Sequence, residues 1–94
     1  MKELNDILWH VMDGMADDWE SITQIKPHAL QYCKITEDEI SKALIVLYEA
    51  NLIEAMDENG YSISSLPNNI RETWFRMTTQ GRLLWDSEGI KYRD

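Results

Sequence analysis

The sequence predicts a small α+β domain, and three observations carry that prediction. Apolar residues recur at helical spacing in three consecutive stretches over the first half of the chain. Residues 52–56, 61–63 and 73–78 carry strand signals instead, the first two separated by the turn dipeptide Asn59-Gly60. A last helical stretch follows Thr78. With 94 residues and no linker, internal repeat or low-complexity segment, the chain reads as one domain over residues 1–94. At 44% hydrophobic and 28% charged residues it has the makeup of a folded protein, neither disordered nor membrane-spanning. No run approaches the ~20 apolar residues of a transmembrane helix, and the start has no signal-peptide layout. A single cysteine, Cys33, forms no internal disulfide, and the expected location is a reducing cytoplasm.

The first helix is predicted from Leu4, Ile7, Leu8, Val11, Met12 and Met15, ending near residues 13–16 at the Asp13-Gly14 turn signal. Asp17 with Glu20 reads as the cap of a second helix carrying Ile22, Ile25, Ala29, Tyr32 and Cys33. Pro27 interrupts it, because proline lacks an N–H and clashes with the preceding turn. Either one kinked helix or two short ones result, with Pro27 opening the second. Thr36-Glu37-Asp38-Glu39 is a capping box, followed by the stripe Ile40, Ala43, Leu44, Leu47 and Tyr48, so a third helix is predicted from Glu37 to Ala50 with Asn51 ending it. Leu52–Met56 leads as a strand into the turn at Asp57–Gly60, and Tyr61-Ser62-Ile63 offers the start of a return strand. Residues 64–69 are loop by their turn residues. In Thr73–Thr78, Phe75 and Met77 point one way and Trp74 and Arg76 the other, the pattern of a strand with one wet face. Thr78 caps a short final helix with Leu83, Leu84 and Trp85.

Three helices, a β-hairpin wing and a short C-terminal helix make up a winged helix-turn-helix. Two stretches carry a resemblance to that superfamily. Residues 40–54, with Ala43-Leu44, Leu47 and then Asn51-Leu52-Ile53-Glu54, resemble the recognition helix and first wing strand of winged-helix regulators, with Asn51 where glycine is commonest. Phe75-Arg76-Met77-Thr78-Thr79-Gln80-Gly81-Arg82 is similar to the Tyr-Arg-Leu-Thr-x-x-Gly-Arg run that closes the wing in regulators of the multiple-antibiotic-resistance and phenolic-acid-decarboxylase types. The resemblance covers about residues 4–86. It implies a DNA-binding transcriptional regulator, although the same fold also serves protein–protein assemblies. The long dimerisation helices of the multiple-antibiotic type have no counterpart here.

Charge separates the function classes. The formal net charge is −8, from 9 basic and 17 acidic residues. Residues 1–58 hold 4 basic and 13 acidic residues, and residues 59–94 hold 5 basic and 4 acidic. In the helix-turn-helix mode the third helix enters the major groove, yet its outward positions are Glu37, Asp38, Ser41, Lys42, Ile45 and Glu49. Such a face repels phosphate, with Lys42 the one cation and Asp38 four residues before it. If double-stranded DNA is the partner, the wing leads, and the nucleic-acid-binding candidates are Lys42, Arg71, Trp74, Arg76 and Arg82. The competing expectation is a docking domain that binds a protein and no DNA, through Asp38, Ile45, Val46 and Glu49. A homodimer would place Leu8 and Trp9 with Trp85, Ile90 and Tyr92 at its interface.

Catalysis has little to work with. His10, His28 and Cys33 do not stand at the paired short spacings of a zinc site. Cys33 falls on an apolar face, where cysteine acts as a small hydrophobe. The four glycines form no phosphate loop, and Asp13, Asp17, Asp18 and Glu20 lack calcium-loop spacing. The expectation is a protein that is not an enzyme and uses no cofactor or metal.

Overall fold

The computed structural model describes residues 2–16 and 18–88. The elements run α1 (Lys2–Asp13), α2 (Ile22–Ala29), α3 (Glu37–Glu49), β1 (Ile53–Met56), β2 (Trp74–Met77) and α4 (Thr79–Glu88). The described residues are therefore α+β, with four helices and a two-stranded antiparallel sheet. No helix among the described residues is long and apolar enough to cross a membrane.

α1 stops where the Asp13-Gly14 signal predicts, and Val11, Met12 and Met15 of its stripe are buried. The side chain of Leu4 lies outside the described residues. α2 departs from the sequence expectation at its start. Its N-cap is Ser21, whose N–H donates to the Gln24 side-chain carbonyl at 2.9 Å. Asp17 lies outside the described residues, and Glu20 has another task. Its N–H donates to the Phe75 carbonyl at 2.8 Å, and the Phe75 N–H returns a bond to the Glu20 carbonyl at 2.9 Å. This antiparallel bridge holds residue 20 extended, so the helix cannot begin there.

Pro27 neither opens a second helix nor sits midway along a long one. It lies inside the eight-residue α2, two residues before its end, and the chain then turns through residues 30–33. Shortening the helix carries Tyr32 off the apolar stripe, and it is half exposed. Cys33 is partly buried, its thiol 3.7 Å from the Ala29 carbonyl.

α3 follows the sequence reading closely. The Thr36 hydroxyl accepts from the Glu39 N–H at 3.1 Å, and the Glu39 carboxylate accepts from the Thr36 N–H at 2.9 Å. At the other end Asn51 takes φ 62°. The Leu52 N–H reaches the Leu47 carbonyl and the Asn51 N–H reaches the Tyr48 carbonyl, each at 3.0 Å. Those two bonds make a Schellman cap, which satisfies carbonyls the helix leaves unpaired.

β1 and β2 pair as Ile53↔Met77, Glu54↔Arg76, Ala55↔Phe75 and Met56↔Trp74. The alternation puts Ile53, Ala55, Phe75 and Met77 into the core, against Ile40, Leu44 and Leu47 of α3. Glu54, Met56, Trp74 and Arg76 take the other face. At the turn after β1 only Gly60 adopts a positive φ, 86°, while Asn59 does not. The expected return strand at Tyr61–Ile63 shrinks to one bridge, Met56↔Ser62, on the edge of β1 away from β2.

The 57–73 loop then runs back along α3 instead of projecting. The Tyr48 hydroxyl near the end of α3 donates to the Ile63 carbonyl at 2.9 Å. Leu66 packs partly, and Ile70 fully, into the core. Arg71 closes the run at the start of α3, bonding Glu37 at 3.0 Å. The segment is a strap pinned at both ends of the helix.

Thr78 caps α4 as expected, its hydroxyl accepting from the Gly81 N–H at 3.0 Å. The contact that seats α4 is Gly81, packed directly against the Leu52 carbonyl. Leu83, expected on the apolar side, is 65% exposed, while Trp85 packs against the core.

Candidate functional site

The five residues predicted to meet nucleic acid fall in three places. Lys42 stands on the exposed side of α3, with its ammonium 3.1 Å from the Asp38 carboxylate. That pair is the i,i+4 contact read from the sequence. Arg71 sits at the N-terminal end of α3, one guanidinium nitrogen donating to both Glu37 oxygens at 3.0 and 3.2 Å. Arg76 and Trp74 share the outward sheet face, and Arg82 on α4 borders the same side.

Each arginine is already engaged within the chain. The Arg76 Nε donates to the Glu54 carboxylate at 2.8 Å, straight across the strand register, and its guanidinium lies 4.5 Å from the Trp19 ring centroid. Arg82 donates to the Ala16 carbonyl at 2.6 Å and lies 5.6 Å from the Trp85 ring. Arg76 and Arg82 line one open hollow of about 350 Å³, where the carboxylates of Asp18 and Glu54 balance their charge. Two of the three arginines of the positive stretch are thus paired with acids from other segments, and the third with a backbone carbonyl. Glu54 as the partner of Arg76 follows from pairing two short strands. Glu37 with Arg71 and Trp19 over Arg76 could not be read, since those contacts join residues remote in sequence.

The docking candidates cluster better. Ile45 and Val46 are adjacent aliphatics 40% and 44% exposed on α3, whose other face is buried. Glu49 is exposed one turn beyond Ile45, and Asp38 lies toward the helix start, neutralised by Lys42. The strap builds the other wall. Between Ile45, Tyr48 and Glu49 on one side and residues 64–68 on the other runs an open groove of about 530 Å³. Val46 lies beside this groove and not in it. The sequence did not single out Leu66 and Pro67 as lining residues, because a turn-rich stretch reads as loop wherever it packs.

Titration adds little. Burial pushes the Cys33 thiol up, helped by the carboxylates of Glu39 and Asp6. The two histidines flank one tyrosine: His10 stacks on Tyr32 with centroids 5.0 Å apart, and His28 tilts against it at 5.4 Å while bonding Asp13 at 2.7 Å. This cluster clasps the ends of α1 and α2. Among the described residues no group of three or more His, Cys, Asp or Glu is placed to hold a metal ion. Of the expected dimer residues, Leu8, Trp9 and Trp85 pack partly against the chain's own core, and Ile90 and Tyr92 lie outside the described residues. Comparison with protein-family models, with curated proteins and with solved structures returns no match for this chain.

Proposed function

We propose that this chain is a winged helix-turn-helix domain that docks a protein partner on its α3 side and does not read DNA. The fold part of the reading is supported by element order, by the capped α3 followed directly by a β-ribbon, and by the Glu20–Phe75 bridge. That bridge adds a third strand position beside β2, linking the segment before α2 to the ribbon.

The observation that carries the functional part is the engagement of Arg71, Arg76 and Arg82 by the chain's own Glu37, Glu54 and Ala16 carbonyl. To neutralise phosphates, Arg71 and Arg76 must leave Glu37 and Glu54 and expose those carboxylates to the same DNA, which offsets the counterion-release gain, and Arg82 must leave the Ala16 carbonyl. Meanwhile α3 offers two exposed aliphatics and no unpaired cation. Exposed apolar groups rimmed by charge are what a protein surface recognises.

Fluorescence anisotropy with random duplex DNA at ~50 mM salt, where non-specific binding is strongest, tests the choice. No binding is expected. Binding whose salt slope falls in the Arg71→Ala/Arg76→Ala double variant would replace docking with wing-led DNA contact.

A further inference from the structure

The α3–strap groove is specific enough in its chemistry to name what fills it. We infer that it holds a segment of another protein presenting a lysine or arginine beside one or two aliphatic side chains, an inference that rests on the docking reading above.

Both halves of that occupant follow from the walls. Ile45 from α3, with Leu66 and Pro67 from the strap, gives apolar patches to a groove that Ser64, Ser65 and Asn68 also line, and its volume of about 530 Å³ has room for more than one aliphatic side chain. Glu49 stands at one wall, exposed, and among the described residues no cation lies within ion-pair distance of it. No lysine or arginine lines the groove. An incoming ammonium or guanidinium therefore finds a carboxylate that is not already neutralised, unlike Asp38, Glu37 and Glu54.

The net charge of −8 works in the same direction at longer range, drawing cationic surfaces and repelling a second copy of this chain. Nucleic acid is repelled by the same field. The strap also makes the groove a formed feature before any partner arrives, because Tyr48 holds Ile63 at one end and buried Ile70 anchors the other, where Arg71 adds an exposed pair with Glu37. A preformed wall lowers the ordering cost of association.

Amide chemical shifts of the full chain, followed during titration with a short peptide alternating leucine and lysine, test this. Its leucine–glutamate and lysine–glycine counterparts, and duplex DNA, form the other arms. Shifts confined to residues 45–49 and 64–68 are expected with the leucine–lysine peptide alone. The Glu49→Gln and Ile45→Ala variants, both at exposed positions, should each weaken that binding about three- to fivefold. Equal binding of the leucine–glutamate or lysine–glycine peptide, unchanged affinity in Glu49→Gln, shifts elsewhere, or silence would overturn the groove assignment. Shifts with DNA at α3 or the sheet face would overturn the docking reading itself.

Discussion

Among the described glycines, Gly81 bears the tightest constraint. A Cβ at that position would fall well inside van der Waals contact distance of the Leu52 carbonyl oxygen, which is backbone and cannot swing away. The Thr78 N–H donates to the same carbonyl at 3.1 Å, so moving it would also break the junction between β2 and α4. Gly81→Ala is expected to destabilise the fold by about 3 kcal/mol, read as a fall in the urea midpoint at unchanged m-value. A loss under about 1 kcal/mol would mean that α4 shifts freely. At this scale the sequence was legible wherever a residue acts on near neighbours. Thr36 and Glu39 cap α3, Asn51 adopts the left-handed conformation, and Lys42 meets Asp38, all as read. Residues acting at a distance were not legible. The sequence placed Arg71, Arg76 and Arg82 on one positive stretch, whereas their partners come from residues 16, 19, 37 and 54.

Among the elements, α3 and β2 were predictable because their patterns are complete within a few residues. α2 was misread at its start for a reason that lies fifty-odd positions away. Asp17 and Glu20 satisfy the capping-box spacing, but the backbone of Glu20 is claimed by Phe75, and the cap passes to Ser21 and Gln24. Local capping offers ~1 kcal/mol, and two bridge bonds with a buried neighbour outweigh it. The strap was hidden for the same kind of reason, since its turn residues give no periodicity and its anchors belong to α3. Those anchors differ in strength. Arg71–Glu37 is an exposed pair worth about 0.5 kcal/mol, while Ile70 is buried in the core. Arg71→Ala should therefore speed hydrogen exchange at residues 64–69 while leaving the Tm within roughly 3 °C of the parent. A large loss of Tm would show that the strap and the core melt as one unit.

For the whole molecule, the charge that repels nucleic acid also bears on stability. A net −8 on 94 residues is self-repelling, while the Asp38–Lys42, Glu37–Arg71 and Glu54–Arg76 pairs are exposed and individually weak. Salt screens both, and the summed repulsion exceeds the few pairs. Raising ionic strength from about 0.02 to 0.3 M should raise the Tm by roughly 5 °C, a change of about 1 kcal/mol. A falling Tm would mean that the ion pairs dominate. The Glu20–Phe75 bridge has a different consequence, in time rather than in energy. It ties the front of the chain to a residue near its far end, so the three helices can gather early on a growing chain but cannot lock their entry into α2 until Phe75 has been added. Folding of this domain should thus finish late, in one step that closes ribbon and helices together.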